Sequence, residues 1–314
     1  MKYASFLYDV KSMNLGDTIQ TIAVEQFLPR VDKRYDRDSL GLVDDDEVHM
    51  VIMNGWFTTR PEYWPPSESI LPVFFGFHIN TQHIKRVPHY LLGEQSINYL
   101  KRYAPIGCRD RETARLLHER GVETYYSKCL SLTFPARETA PNHGNVFLVD
   151  VHDIPVPELI RANAIPLTHH VPQHYPDEIK IMIAKSLLGL YKNKARLVIT
   201  DKLHCALPCI AFGIPVIFFG DKNETRISIL SDLGLVINSK PPSLARNTLL
   251  LLQRLSDKFE CNSFIGRCSR FLHIKLMDIF LNKDVDWEPE PLSIESEKEI
   301  IINNIKSVIV EKSG

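Results

Sequence analysis

The chain has 314 residues, enough for two domains of ordinary size with a substantial apolar core. Hydrophobic residues make up 44% and charged residues 24%, a balance that excludes a disordered chain and a membrane-embedded one. A net charge of −1 and a pI near 6.9 give no global basic field for nucleic acid, so an anionic ligand must be held by a local cluster of cations.

The first ten residues, MKYASFLYDV, hold Asp9 inside their only apolar run and make a poor signal peptide. No stretch reaches the ~18 uninterrupted apolar residues of a membrane span, and a cytoplasmic protein is expected. Strands are predicted at Tyr3–Val10, Val48–Met53, Val73–Phe77, Pro105–Cys108 and Glu123–Tyr126, and helices at Thr18–Leu28, Gln95–Tyr103 and Arg111–Arg120. Asp17 with Gln20 three residues on reads as a capping pair, Asp110 as the cap of the third helix and Gly121 as its stop. The polar, proline-bearing stretch PARETAPNHGN, 135–145, is the predicted linker. Beyond it come strand Val146–Val151, helix Asp177–Tyr191, strand Leu197–Thr200, a helix to Phe212 and strand Val216–Phe219. Helices around Leu244–Phe259 and Arg267–Asn282 follow, then the extended KDVDWEPEP and a last helix opened by Ser296 and Glu299 as a capping box.

Strands alternating with helices indicate an α/β chain with parallel sheets. Two such halves with a late returning segment suggest two Rossmann-like domains facing a cleft: 1–138, 139–285, and an extended link with a C-terminal helix over 286–314. A two-domain binder of the periplasmic type has the same pattern. Ligands of such folds sit beyond the carboxyl ends of the strands, so the strand-to-helix junctions are where function is sought.

The six cysteines, Cys108, Cys129, Cys205, Cys209, Cys261 and Cys268, contain no Cys-x-x-Cys pair, which points to reduced and mostly buried thiols. Cys205 and Cys209 can share one side of a helix, but no second pair completes four ligands, and no metal is expected.

Four junctions carry charge or turn residues. In KSMNLGDTIQ, Asn14 and Gly16 permit a tight turn, and Asp17 either caps the helix or meets a polar substrate. In APIGCRDRETARLL, Arg109 either pairs with Asp110 or Glu112 at the surface or joins backbone amides in holding an anion. In VITDKLHCALPCIAFGIPVIFF, Lys202 and His204 fall in the first turn of a helix, where cations are unfavourable unless something negative binds beside them. Pro208 there removes a bond to the His204 carbonyl, so that helix starts late or kinks. In FFGDKNETRISIL, Lys222, Asp221, Glu224 and Arg226 lie on the neighbouring loop, a site edge or a plain charged surface.

Together, NLGD near the start, GCRDRETARLLHERGV in mid-chain and ITDKLHCALPCIAFGIPVIFF late in the chain resemble the polysaccharide pyruvyl transferase family in order and spacing, over residues 5 to 235. The resemblance implies a GT-B-like fold and transfer of pyruvate from phosphoenolpyruvate to a sugar diol, forming a cyclic ketal. It assigns donor binding to Arg109, Lys202, His204 and Lys222; the chemistry then points to His204 as acid, since an imidazolium can both give a proton and hold the anion, with Asp17 as base or acceptor contact. Asn14, Gly16, Asn54 and Glu224 are acceptor-side or loop candidates. The family's arginine before Leu-His is Lys202 here, which keeps the charge and loses bidentate geometry. Its glycine-rich run after an early strand is Asn54-Gly55-Trp56. No metal or redox cofactor is implied; phosphoenolpyruvate is a co-substrate. Expected partners are that donor and a saccharide of capsule or exopolysaccharide type, free or lipid-linked. The rival enzyme is a GT-B glycosyltransferase, with Asp221 or Glu224 on the ribose of a nucleotide sugar; the rival of another class is a binder that has lost activity.

One further segment stands out. FIGRCSRFLHIKLMDIFLNK, 264–283, sets Phe264, Phe271, Leu272, Leu276 and Ile279 beside Arg267, Arg270, Lys275 and Lys283. It reads either as a helix packed on the second domain or as one that meets the inner membrane face.

Overall fold

The computed structural model describes residues 1–8, 12–82, 85–151, 153–259, 263–281 and 284–313. Asp9 and Val10 of the first predicted strand, Cys261 and Lys283 lie outside the described residues. Contacts divide the chain into two compact units: 1–136 with 169–189 and 293–314, and 137–168 with 190–292.

The first unit is built on β1 (Lys2–Leu7), β2 (Lys33–Asp36), β3 (His49–Phe57), β4 (Ile70–Ile79), β5 (Ile106–Cys108) and β6 (Thr124–Tyr126), in the order β2-β1-β3-β4-β5-β6. Every pairing is parallel. The central β3 and β4 are buried along almost their whole length, as expected of strands covered on both faces. Phe57, Phe77 and Trp64 stack in the core beneath them. The second unit holds β7 (Asn145–Val149), β8 (Ala164–Leu167), β9 (Ala195–Thr200), β10 (Val216–Phe219) and β11 (Ile237–Asn238), again all parallel, in the order β11-β10-β9-β7-β8. Its core joins Leu197, Ile199, Ile217 and Phe219 to Leu249 and Met277 of the late helices.

Both sheets therefore follow one doubly wound plan, in which the second strand lies outside the first and the third lies on its other side. The order reverses between β1 and β3 in one unit and between β7 and β9 in the other, and each reversal opens a crevice at the strands' carboxyl ends. These are the Rossmann-like units expected from the alternating pattern.

Several local expectations need correction. β3 and β4 extend past the predicted runs, because Asn54, Gly55 and Trp56 continue β3 through an irregularity in its register with β4. The helix predicted at Thr18–Leu28 is Leu15–Glu25, and its cap is Asn14, whose Oδ1 accepts from the Gly16 amide at 3.0 Å. Asp17 is thus in the first turn, where Gln20 Nε2 donates to its Oδ1 at 3.2 Å. The last helix starts at Glu295, its turn already closed by the Lys298 amide on the Ile294 carbonyl, so Ser296 is inside it and not its cap. β2, β8 and β11 escaped the reading since each is an edge strand of only two to four residues, and β8 is interrupted by Pro166. Asp110 does cap helix Arg111–His118, accepting from the Thr113 amide at 2.9 Å.

Candidate functional site

At the reversal between β1 and β3 the chain collects a buried polar cluster. The Asn14 cap, tied to the antiparallel bridge partner His170, delivers Asp17 from the β1 loop. Trp56, at the end of β3, donates from Nε1 to Asp17 Oδ1 at 3.2 Å. Arg37, just after β2, places Nη1 3.6 Å from Asp17 Oδ2 and Nη2 3.1 Å from Asp38 Oδ2. Its guanidinium lies 4.0 Å from the Trp56 ring centroid and 4.8 Å from that of Tyr8, the face-on placement of a cation–π contact. Asp38 is fixed in turn by the Thr58 hydroxyl at 2.6 Å and the Thr59 amide at 2.7 Å.

These two acids are set in opposite directions. Burial raises the Asp17 carboxyl above its ordinary value, and Arg37 with the Trp56 donor offsets only part of that rise. Burial also opposes ionisation of Asp38, but Arg37 and the Thr58 and Thr59 donors outweigh it and leave its carboxyl below the ordinary value. Two neighbouring carboxylates driven apart by environment are a common arrangement where a site moves protons.

Asn54 and Gly55 complete this edge. Asn54 Oδ1 accepts from the Leu130 amide at 3.1 Å, and Gly55 takes φ +144°, a conformation that glycine permits. Asn54 Nδ2 and Gln20 Oε1 are buried with no hydrogen-bond partner among the described residues. Such groups cost stability and mark places where a ligand hydroxyl could be accommodated.

Arg109 leaves β5 fully buried, so the expectation of a surface pair with Glu112 is corrected: Glu112 is taken by Arg115 at 2.8 Å. The Arg109 charge instead acts on both Asp17 and Asp110, lowering each carboxyl's proton affinity. Asp110 also meets His78 Nδ1 at 2.6 Å. Burial works against its ionisation, yet the His78 bond and the two positive groups hold its carboxyl below the ordinary range.

In the second unit the charged groups again gather where the strand order reverses. Lys202 is the residue before helix Leu203–Ala211, one position outside the turn expected for it, while His204 is buried in that turn. The helix runs through Pro208, which has no amide to give the His204 carbonyl. Lys202 Nζ lies 3.2 Å from Asp201 Oδ1, and Lys240 Nζ 3.0 Å from Asp201 Oδ2 and 3.3 Å from Asp153 Oδ1. Arg246 reaches Asp153 at 3.4 Å. Lys222, after β10, is exposed and borders a cavity of about 650 Å³ shared with Asn238 and Lys240. Glu224 is engaged by Arg226 at 2.7 Å.

The sequence reading missed Arg37, Asp38, Trp56, Lys240 and Asp153. The first two sit in a charged stretch, RYDRDS, whose only signal is an Arg-Asp pair; Lys240 follows a two-residue strand, too short to be read as one from the apolar residues before it. Cys205 and Cys209 are both buried, and burial pushes the Cys209 thiol up. Among the described residues no group of three or more histidines, cysteines or acids is placed to hold a metal. Nor is any described helix long and apolar enough to cross a membrane.

Two doubly wound α/β units thus carry charged groups beyond the carboxyl ends of their strands, buried in the first unit and partly exposed in the second. The model of the family described as polysaccharide pyruvyl transferase matches residues 14–223, two thirds of the chain, and takes in the residues described above from Asn14 to Lys222 but not Glu224, Arg226, Lys240 or Arg246. The chain belongs to this family; membership makes it a transferase with a saccharide acceptor. A search of curated proteins finds no match.

Proposed function

We propose that the protein moves pyruvate from phosphoenolpyruvate onto a sugar diol of a surface polysaccharide or its lipid-linked precursor. The products are a cyclic ketal and phosphate, and the reading includes the GT-B-like fold class that the family resemblance implies. The observation that carries it is the concentration of cations at one sheet edge of the second unit. Lys202 and Lys240 share Asp201, and Lys222 and Lys240 border one cavity. A donor with a phosphate and a carboxylate needs several cations in a small volume.

In this scheme His204 gives a proton to the donor's methylene carbon, which becomes the methyl group, while a sugar hydroxyl bonds to C2 and returns its proton to the imidazole. The C2–O bond to phosphate then breaks with its electron pair on phosphate. The second hydroxyl closes the ring, losing its proton to Asp17 or to the departing phosphate. Lys202, Lys222 and His204, with Arg109 of the first unit, are the donor-binding residues of this reading. Asn14, Gly16 and Asn54 serve the acceptor side, where Asn54 Nδ2 and Gln20 Oε1 are a donor and an acceptor that a saccharide hydroxyl would satisfy. The scheme calls for no metal or redox cofactor.

The nucleotide-sugar alternative asks Asp221 or Glu224 to hold a ribose; Glu224 is already bound by Arg226, and Asp221 accepts from the Asn223 amide at 2.9 Å. Calorimetric titration separates the two readings. Phosphoenolpyruvate should bind and remain bound in excess UDP or GDP, and adding a saccharide acceptor should release phosphate and give the acceptor the mass of a pyruvate ketal. Binding of UDP or GDP without binding of phosphoenolpyruvate would overturn the proposal.

A further inference from the structure

The helix Phe264–Phe280 is built inside out. Its buried positions are Gly266, Ser269, His273 and Met277, three of them small or polar. Its solvent side carries Phe264 at 76% exposure, Phe271 at 61% and Ile279 at 62%, with Leu272 beside them. Positions 264, 268, 271, 275 and 279 repeat at the four- and three-residue steps that form one stripe on a helix. Leu276 packs on the core, while Ile265, Ile274 and Phe280 are exposed on the flanks of the stripe. The helix is anchored from its other side by Met277, with Leu281 just past its end in the same core.

Charge decides what such a stripe fits. Arg267 and Lys275 are exposed on the same side, and the Lys275 ammonium stands 5.9 Å from the Phe271 ring centroid. Arg270 is turned inward to Glu158 at 3.3 Å and takes no part. Asp278 shares this side by helical position, so Arg267 and Lys275 leave it with a net positive charge, and a second copy of the chain laid on it would bring like net charge together in a desolvated contact. An anionic lipid surface accepts both properties at once, because aromatic and aliphatic side chains enter the acyl boundary while lysine and arginine extend to the phosphates.

We propose that the outward face of helix Phe264–Phe280 docks on an anionic lipid surface. The inference is independent of the donor and acceptor chemistry, which uses other residues. Each cation near such a surface contributes about fivefold in partitioning, and screening makes that part sensitive to salt.

The test is cosedimentation of the full chain with vesicles of phosphatidylcholine alone, or of phosphatidylcholine and phosphatidylglycerol in equal parts, at low and high salt. The expected result is binding to the mixed vesicles at low salt, weakened by high salt and by neutral vesicles. Arg267→Glu/Lys275→Glu should lower partitioning at least about tenfold, and Phe264→Ser/Phe271→Ser should lower it on the same vesicles. Both pairs are at exposed positions, and unchanged circular dichroism and melting confirm that the fold is kept. Absence of binding to the mixed vesicles at low salt, or binding indifferent to both double changes, would overturn the proposal. So would a concentration-dependent dimer by light scattering that the phenylalanine changes dissolve while vesicle binding is unaltered.

Discussion

Arg37 and Asp17 form an ion pair with almost no access to water: Nη1 and Oδ2 are 3.6 Å apart, and the side chains are 5% and 6% exposed. The pair is loose by hydrogen-bond standards, and it leaves Asp17 with a raised proton affinity where Asp38, held more closely by the same arginine, has a lowered one. Arg37 therefore tunes Asp17 without neutralising it. If Asp17 works ionised, kcat/KM should fall on the acid side of a pKa above the usual carboxylate value. Removing Arg37 takes away a charge that lowers this pKa, so Arg37→Gln should move the acid limb to higher pH. Asp17→Asn should remove the limb along with most of the activity. Rate–pH profiles with an unchanged limb in Arg37→Gln would separate Arg37 from the chemistry.

The cations of the second unit make a different prediction. Lys202→Arg restores the residue typical of the family and should retain much of the activity, while Lys202→Ala should lose most of it. Lys202→Ala and Lys222→Ala should each weaken phosphoenolpyruvate binding by about 1.5–3 kcal/mol, the scale of a contact between charged groups. Lys240→Met should also weaken it, since Lys240 bridges Asp153 and Asp201 and so limits how far Asp201 can neutralise Lys202. Titration calorimetry on the variants reads all of these, and unchanged affinity in both alanine variants would remove these lysines from the donor site.

How much of this was open to view in the sequence depended on hydrophobic patterning. The buried strands β3, β4, β9 and β10 each contain an apolar run, and their alternation with amphipathic helices exposed the α/β plan without any structural help. Asp110 was legible as a cap because its partner is three residues away. Arg37 was not, because its meaning comes from Trp56 and Asp17, 19 and 20 positions away in the chain, brought to it by the pairing of β2 with β1 and β1 with β3. The burial of Arg109 was illegible for the same reason: beside Asp110 and Glu112 an arginine reads equally as a surface ion pair or as an anion contact until the sheet closes over it. The Phe264–Phe280 stripe lay between those cases, its periodicity plain and its orientation undetermined until the opposite face was found buried.

Gly76 and Asn54 offer a test of packing at the edge of the first site. Gly76 takes φ +77°, and a Cβ there would come 2.1 Å from Asn54 Oδ1 and 3.0 Å from the Lys128 carbonyl oxygen. Both sterics and backbone conformation oppose any side chain. Gly76→Ala should destabilise the protein by about 2–4 kcal/mol, by strain of ~1–3 kcal/mol and loss of the Asn54–Leu130 bond. Denaturant melting should show a lower midpoint, and a midpoint within error of the parent would contradict the close approach.

The Asp110–His78 contact gives a prediction about acid stability. The folded carboxyl of Asp110 has a pKa below the ordinary 3.8, with burial opposing ionisation and the His78 and Arg109 charges overcoming it. A group whose folded pKa is depressed stabilises the protein above its unfolded value, and that contribution is lost as pH falls through the folded value. The loss is thus confined to pH below about 4, the value an unfolded aspartate has. Asp110→Asn keeps an oxygen able to accept from the Thr113 amide, so the cap on helix Arg111–His118 survives, but it has no charge to lose. The variant should be less stable than the parent at pH 7, by about 1–3 kcal/mol for the removed charge-assisted bond. Its urea midpoint should then fall less steeply than the parent's between pH 5 and pH 2.5, so that the two curves converge in acid. Asp110→Ala, which loses the cap as well, should lie lower at every pH by a further ~1 kcal/mol. Parallel curves for parent and Asp110→Asn across that range would show that Asp110 titrates alike in the folded and unfolded chain, and that its proximity to His78 contributes nothing to acid stability.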